Sequence, residues 1–143
     1  MKLSVLDQSV VSAGRPQDEA IRNTVALATH CEAWGYDRFW VSEHHSLPSI
    51  AGTAPEVLLA AIAMRTGAVV IPVFALPLAG GRFRFVYEAP VEPPAHAGPD
   101  AIREFTQRCT DVLEMHVRRH PELWLWMHRR WRDSPSPEAP GMF

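Results

Sequence analysis

Apolar and polar positions along the chain fall into two rhythms, a short continuous one and a helical one, and their order predicts a βαβα beginning. Lys2–Leu6 is a short apolar run, read as a buried strand. Over residues 17–34 the apolar side chains Ile21, Val25, Ala28 and Cys31 recur at helical spacing, and Gly35 comes next as a stop. Arg38–Ser42 is a second strand. Short connections on both sides of the helix favour a parallel pair joined by a right-handed crossover. Thr53-Ala-Pro-Glu56 has the spacing of a capping box, which predicts a second helix over 54–65.

The rhythm then changes. Ala68–Leu76 is continuously apolar and β-branched, as expected of a strand buried on both faces. Phe83, Phe85 and Tyr87 alternate with Arg82 and Arg84, so this stretch reads as a half-exposed strand reached through Ala79-Gly80-Gly81. A Pro-rich loop at 90–99 leads to a long helix from Asp100 to about His120. Ile102, Phe105, Cys109, Val112 and Leu113 line one of its faces and Pro121 ends it. A short helix is predicted over Glu122–Arg130, and the Pro-rich tail from Ser134 is predicted to be disordered.

Length and composition narrow the possibilities. A chain of 143 residues holds about one ordinary domain. With 47% hydrophobic and 21% charged residues, a packed core is the expectation. The net charge of −2 argues against a nucleic-acid partner, although the basic residues are all Arg apart from Lys2. Cys31 and Cys109 form no disulfide framework or CxxC pair, which predicts reduced thiols in a cytoplasmic setting. The N-terminal stretch does not have the pattern of a signal peptide. Val57–Ala79 is apolar, but Arg65-Thr66-Gly67, Pro72 and Pro77 interrupt it, so a helix, a turn and a strand fit it better than a membrane span.

Two resemblances divide the sequence. The opening MKLSVLDQSVVSAGR, together with RFWVSEHHS at 38–46, resembles the start of a luciferase-like flavin-dependent monooxygenase. TGAVVIPVFAL and the closing HPELWLWMHRRWR at 120–132 resemble the end of a lipid A acyltransferase of the lauroyl/myristoyl type, in the lysophospholipid acyltransferase superfamily. The fold expected is therefore α/β: a partial βαβα unit, the start of a TIM-barrel-like fold, joined to a strand pair and C-terminal helices of an acyltransferase-like sheet. The expected segments are 1–66 (monooxygenase-like), 67–133 (acyltransferase-like) and a tail at 134–143. A full eightfold barrel takes roughly 250 residues, so neither machinery is expected to be complete.

The monooxygenase resemblance implies FMN as cofactor and matches His44 to the family's catalytic histidine, with Glu43 and His45 beside the flavin; because the family's FMN contacts come largely from later strands and loops, no cofactor is expected to be retained by these residues unless that reading holds. The position after the second strand is the rim where βα barrels carry their chemistry, and an imidazole there serves as base or hydrogen-bond donor. A solvated polar loop is the plain structural alternative. The acyltransferase resemblance implies a His-x4-Asp or His-x4-Glu dyad, in which the acid orients an imidazole base. His128 and Asp133 have that spacing but lie in the terminal segment, downstream of where the family places its motif, so the dyad is read as absent.

From the same resemblance, Arg129, Arg130 and Arg132 would contact lipid phosphates while Trp124, Trp126 and Trp131 rest at a membrane interface. The alternative is core tryptophans beside a solvated arginine cluster. His116 and His120 share a helix face and are expected to be a solvated pair; no metal site is defined by the spacing of the histidines. The reading favoured by family label is an acyltransferase segment lacking its dyad, placed in the cytoplasm, peripheral to the inner membrane, with a membrane surface or acyl lipid as partner. The alternatives are a flavin-dependent oxidoreductase segment and a non-catalytic membrane-associating module.

Overall fold

The computed structural model describes residues 1–45, 47–96 and 98–127. In chain order its elements are β1 (Ser4–Asp7), α1 (Gln17–Ala33), β2 (Arg38–Val41), α2 (Pro55–Thr66), β3 (Val73–Leu78), β4 (Arg82–Tyr87) and α3 (Pro99–Arg119), with a 3-10 turn after them at Pro121–Leu123. The βαβα order and the long helix agree with the expectation, and the fold is α/β.

The strands form two separate two-stranded sheets. β1 pairs with β2 in parallel, Val5 opposite Phe39 and Asp7 opposite Val41, as a helical crossover requires. β3 and β4 form an antiparallel hairpin with Val73 opposite Tyr87 and Leu78 opposite Arg82.

Helix α2 joins the first half of the chain to α3 through two clusters on its opposite faces. Its sequence, PEVLLAAIAMRT, is apolar nearly all round, so it packs on two sides and leaves only the narrow strip of Val57 and Arg65 exposed. Leu58 and Ile62, one turn apart, pack with Ala28 of α1 and with Ile21, Val25, Phe39 and Val41. Ala60 and Ala63 face the other way, against the fully buried Phe105 of α3 and Val91, with Met64, Val70, Cys109 and Val112 around them. Small side chains on that second face let α3 approach closely. Each large side chain buried here contributes about 1.5–3 kcal/mol.

Several local expectations are corrected. No side-chain cap closes α2: Ala54 is its N-cap and Pro55 its first residue, so Thr53 stands one position too early for the capping box. The C-terminal stop is Gly67, in the left-handed conformation at φ 76°, its N–H donating to the Ala63 carbonyl. The buried strand expected over 68–76 begins only at Val73, because Pro72 has no N–H to offer a ladder; before it, Val70 makes an isolated bridge to Val91. β1 is half exposed rather than buried, with Leu6 at 62%. On α3, Ile102 is exposed and His116 is buried in its place on the inner face. Of the helix expected over Glu122–Arg130, only a 3-10 turn at Pro121–Leu123 forms, and residues 124–127 continue without helix; 128–130 and the tail from Ser134 lie outside the described residues.

Candidate functional site at the ends of the parallel strands

Parallel strands end on the same side, so the turns leaving β1 and β2 lie next to each other. After β1 the chain turns sharply at Ser9, a buried residue with φ 52°. Such a conformation is costly outside glycine and persists only where neighbours fix it. They do so here through polar contacts. The Ser9 N–H donates to Oδ1 of Asp7 at 2.5 Å, and the Ser9 and Thr24 hydroxyls lie 2.8 Å apart. Thr24 Oγ1 is also within reach of Asp7 Oδ1 at 3.2 Å and of the Ala20 carbonyl at 3.1 Å. With one proton, Thr24 donates to one of these two and accepts from Ser9.

The segment at 47–52 folds back over both strand ends. Val11 N–H donates to Ser49 O, Ala51 N–H to Ser9 O, and His44 N–H to Gly52 O at 2.9 Å. A Cβ at Gly52 would lie 3.0 Å from the Ser42 carbonyl, so the close approach needs glycine. The result is a stapled rim in which the backbone of His44 is held by a neighbouring turn.

The three residues expected to carry chemistry separate into two arrangements. His45 Nε2 contacts Glu43 Oε1 at 2.6 Å and its side chain is only 8% exposed, so the His45 ring is turned inward while Glu43 holds it from the surface. His44 Nδ1 sits 3.2 Å from Ser42 Oγ, and its Nε2 makes no hydrogen bond to a described residue. A half-buried imidazole with one nitrogen anchored and the other presented can donate to, or accept from, a polar ring atom. The rim segments 7–12 and 42–53 contain no Lys or Arg, and Arg15 just beyond is paired with Glu19. The rim therefore offers neutral hydrogen-bonding groups and no cation of its own.

In the second half, Trp124 is half-buried and Trp126 is exposed at 66%, its indole N–H donating to the Pro121 carbonyl at 2.7 Å. Trp131, Arg129, Arg130 and Arg132, like His128 and Asp133, lie outside the described residues. The expected solvated His pair is overturned. His116 is buried, its Nε2 is 2.6 Å from Glu88 Oε1, and its ring stacks on Phe74 at 3.5 Å, while His120 stands 6.3 Å away. The carboxylate comes from the loop after β4, 28 residues earlier, which no local spacing reveals. Thr24 was more legible, as a hydroxyl among the apolar positions Ala20, Ala28 and Cys31 of one helix face. Both cysteines are free thiols, and burial raises the pKa of each. Among the described residues no group of three His, Cys, Asp or Glu is placed to hold a metal ion, and no helix is long and apolar enough to cross a membrane.

Residues 1–79, which include this whole rim, match the family model of luciferase-like monooxygenases. The chain belongs to the luciferase-like monooxygenase family. A second family model, bacterial lipid A biosynthesis acyltransferase, matches residues 52–133, and by that match the chain belongs to this family as well. The two matches share 52–79, the stretch that holds α2 and β3. Among curated proteins the chain is 48% identical over 66 residues to an N-acetyl-S-alkylcysteine monooxygenase of Bacillus subtilis, covering 46% of this chain and 20% of the relative. It is 36% identical over 63 residues to a luciferase-like monooxygenase of Escherichia coli K12, covering 44% of this chain and 19% of the relative. The crystal structure of apo-MsnO8 is 42% identical with a TM-score of 0.45, over 46% of this chain and 20% of that one. The chain thus spans about a fifth of the length of these relatives.

Proposed function

We propose that the chain is a luciferase-like monooxygenase segment, the opening βαβα of a TIM-barrel-like fold, whose rim takes the ring of a flavin against His44. The observation that carries the reading is the rim histidine itself, half-buried, anchored through Nδ1 to Ser42 and through its backbone to Gly52, with no hydrogen bond from Nε2 to a described residue. Reduced FMN, when bound, supplies the electrons for reaction with dioxygen. His44 would hold the ring by a hydrogen bond from Nε2, and the Ser42 hydroxyl would fix the orientation of the imidazole. The Glu43–His45 pair would keep the turn rigid rather than touch the ligand. Because the rim segments offer no cation to a phosphate, ring binding is expected to be weak, and riboflavin is expected to bind about as well as FMN. Titrating either with the protein should quench flavin fluorescence saturably, and His44→Ala should abolish the quench. A flat titration of the unaltered protein contradicts the reading.

The acyltransferase match over 52–133 supports a second reading, in which the chain carries structural elements of that family without its catalytic base. His116 is itself buried and has Nε2 committed to the partly exposed Glu88, so it is poorly placed to deprotonate a lipid hydroxyl. No acyl transfer from an acyl carrier to a lipid A precursor is expected, and measurable transfer would overturn this point.

A further inference from the structure

Hairpin β3–β4 is half-buried near its base and exposed on both faces toward its turn, and its two faces differ in chemistry. The register sets Val73, Ala75 and Pro77 opposite Tyr87, Phe85 and Phe83, so these six share one face. The three aromatics on it are 59%, 62% and 69% exposed at Phe83, Phe85 and Tyr87. The other face carries Arg82 and Arg84 opposite Leu78 and Leu76. A lone two-stranded hairpin is at best marginal in water, and this one is tied to the helices at its base, through the Val70–Val91 bridge and the stack of Phe74 on His116.

Charge selects the occupant of the aromatic face. No acidic residue lies between Glu56 and Glu88, so the whole hairpin is cationic. Among the described residues neither Arg82 nor Arg84 forms an ion pair; Arg82 Nε donates only to the Ala79 carbonyl at the turn. In the antiparallel self-pairing of β4 that sets Phe83 opposite Phe85, Arg84 falls against Arg84, which disfavours that register of a second copy. Exposed aromatics flanked by unpaired arginines fit a surface that is apolar a few ångströms down and anionic at its boundary. Aromatic rings settle at that depth, and long arginine stems carry their charged ends back to the phosphates. We propose that the Phe83–Phe85–Tyr87 face of the β3–β4 hairpin docks on an anionic lipid surface. This docking is independent of the flavin reading and of the C-terminal Trp and Arg residues.

Flotation of the full chain with vesicles tests it, comparing phosphatidylcholine alone with mixtures containing phosphatidylglycerol. The protein should float with anionic vesicles and not with the neutral ones. Phe83→Ser with Phe85→Ser should abolish flotation. Arg82→Gln with Arg84→Gln, which leaves the aromatic face in place, should weaken it by about fivefold per arginine, as expected for charges near an anionic leaflet. Arg129→Gln with Arg130→Gln and Arg132→Gln should float like the unaltered chain. Matching far-UV circular dichroism of the hairpin variants would show that lost flotation is not lost folding. Absence of flotation overturns the proposal. So does unchanged flotation in both hairpin variants, loss confined to the C-terminal variant, or a dimer that forms through these aromatics and excludes vesicles.

Discussion

Replacing Phe105 by Ala asks whether the two halves of the chain share one core. The ring is completely buried between α2 and α3, against Ala60, Ala63 and Val91. Its small neighbours cannot extend to fill the space it leaves, so the loss should fall in the range of about 3–5 kcal/mol for a buried aromatic truncated to Ala. With a urea dependence of roughly 2 kcal/mol per molar for a chain this size, the unfolding midpoint should drop by about 2 M. The two free thiols report the halves separately, Cys31 from α1 and Cys109 from α3. Pulsed alkylation across a urea series, read by mass spectrometry, gives a midpoint for each. If α2 couples the halves, Cys31 and Cys109 share one midpoint in the unaltered chain, and in the variant both fall together. A fall for Cys109 with Cys31 unmoved would refute the coupling, since Phe105 would then stabilise only its own neighbourhood.

Three other substitutions probe the rim, the buried ion pair and the α1 thiol. Gly52→Ala should push the 47–52 segment away from the Ser42 carbonyl, costing about 1–3 kcal/mol and removing the flavin-dependent quench, read by thermal melting and titration on one sample. Glu88→Ala leaves buried His116 without its partner and should cost about 1–3 kcal/mol in a urea melt, whereas Glu88→Gln, which keeps a hydrogen-bonding oxygen, should cost less. The Cys31 thiol is held above its ordinary value of 9.0, first by burial and then by the charge of Asp7. The unfolded chain therefore loses this proton more readily. Its contribution to stability is full below about pH 9 and falls as pH rises toward the raised folded value, and Cys31→Ala should flatten that alkaline decline in denaturation midpoints.

Element order was legible because it rests on periodicity: the spacing of Ala28 and Cys31 in α1, and of Phe105, Cys109 and Val112 in α3, is what these helices bury. The ends of elements were less so. Pro55 shifted the start of α2 past the capping-box threonine, and Pro72 delayed β3, because a missing N–H acts at one position and leaves a hydrophobic pattern unchanged. At the rim, the order Glu-His-His marked a turn without showing its contacts, since the partition of Glu43 with His45 and of His44 with Ser42 depends on which side chain points inward. The Asp7–Ser9–Thr24 network and the His116–Glu88 pair join residues distant in the chain, and only folding brings them together. The double role of α2 was present in its lack of a polar face, a signal that says a helix is enclosed without saying by what.

Native-state amide hydrogen exchange tests most directly the claim that α2 welds both segments into one core. Protection in α1, in Leu58–Ala63 of α2 and around Phe105 of α3 should collapse to one common free energy, the energy of opening the whole domain. A high value for α1 and α2 beside a much lower one for α3, or the reverse, would contradict the claim and leave two neighbouring pieces that fold apart.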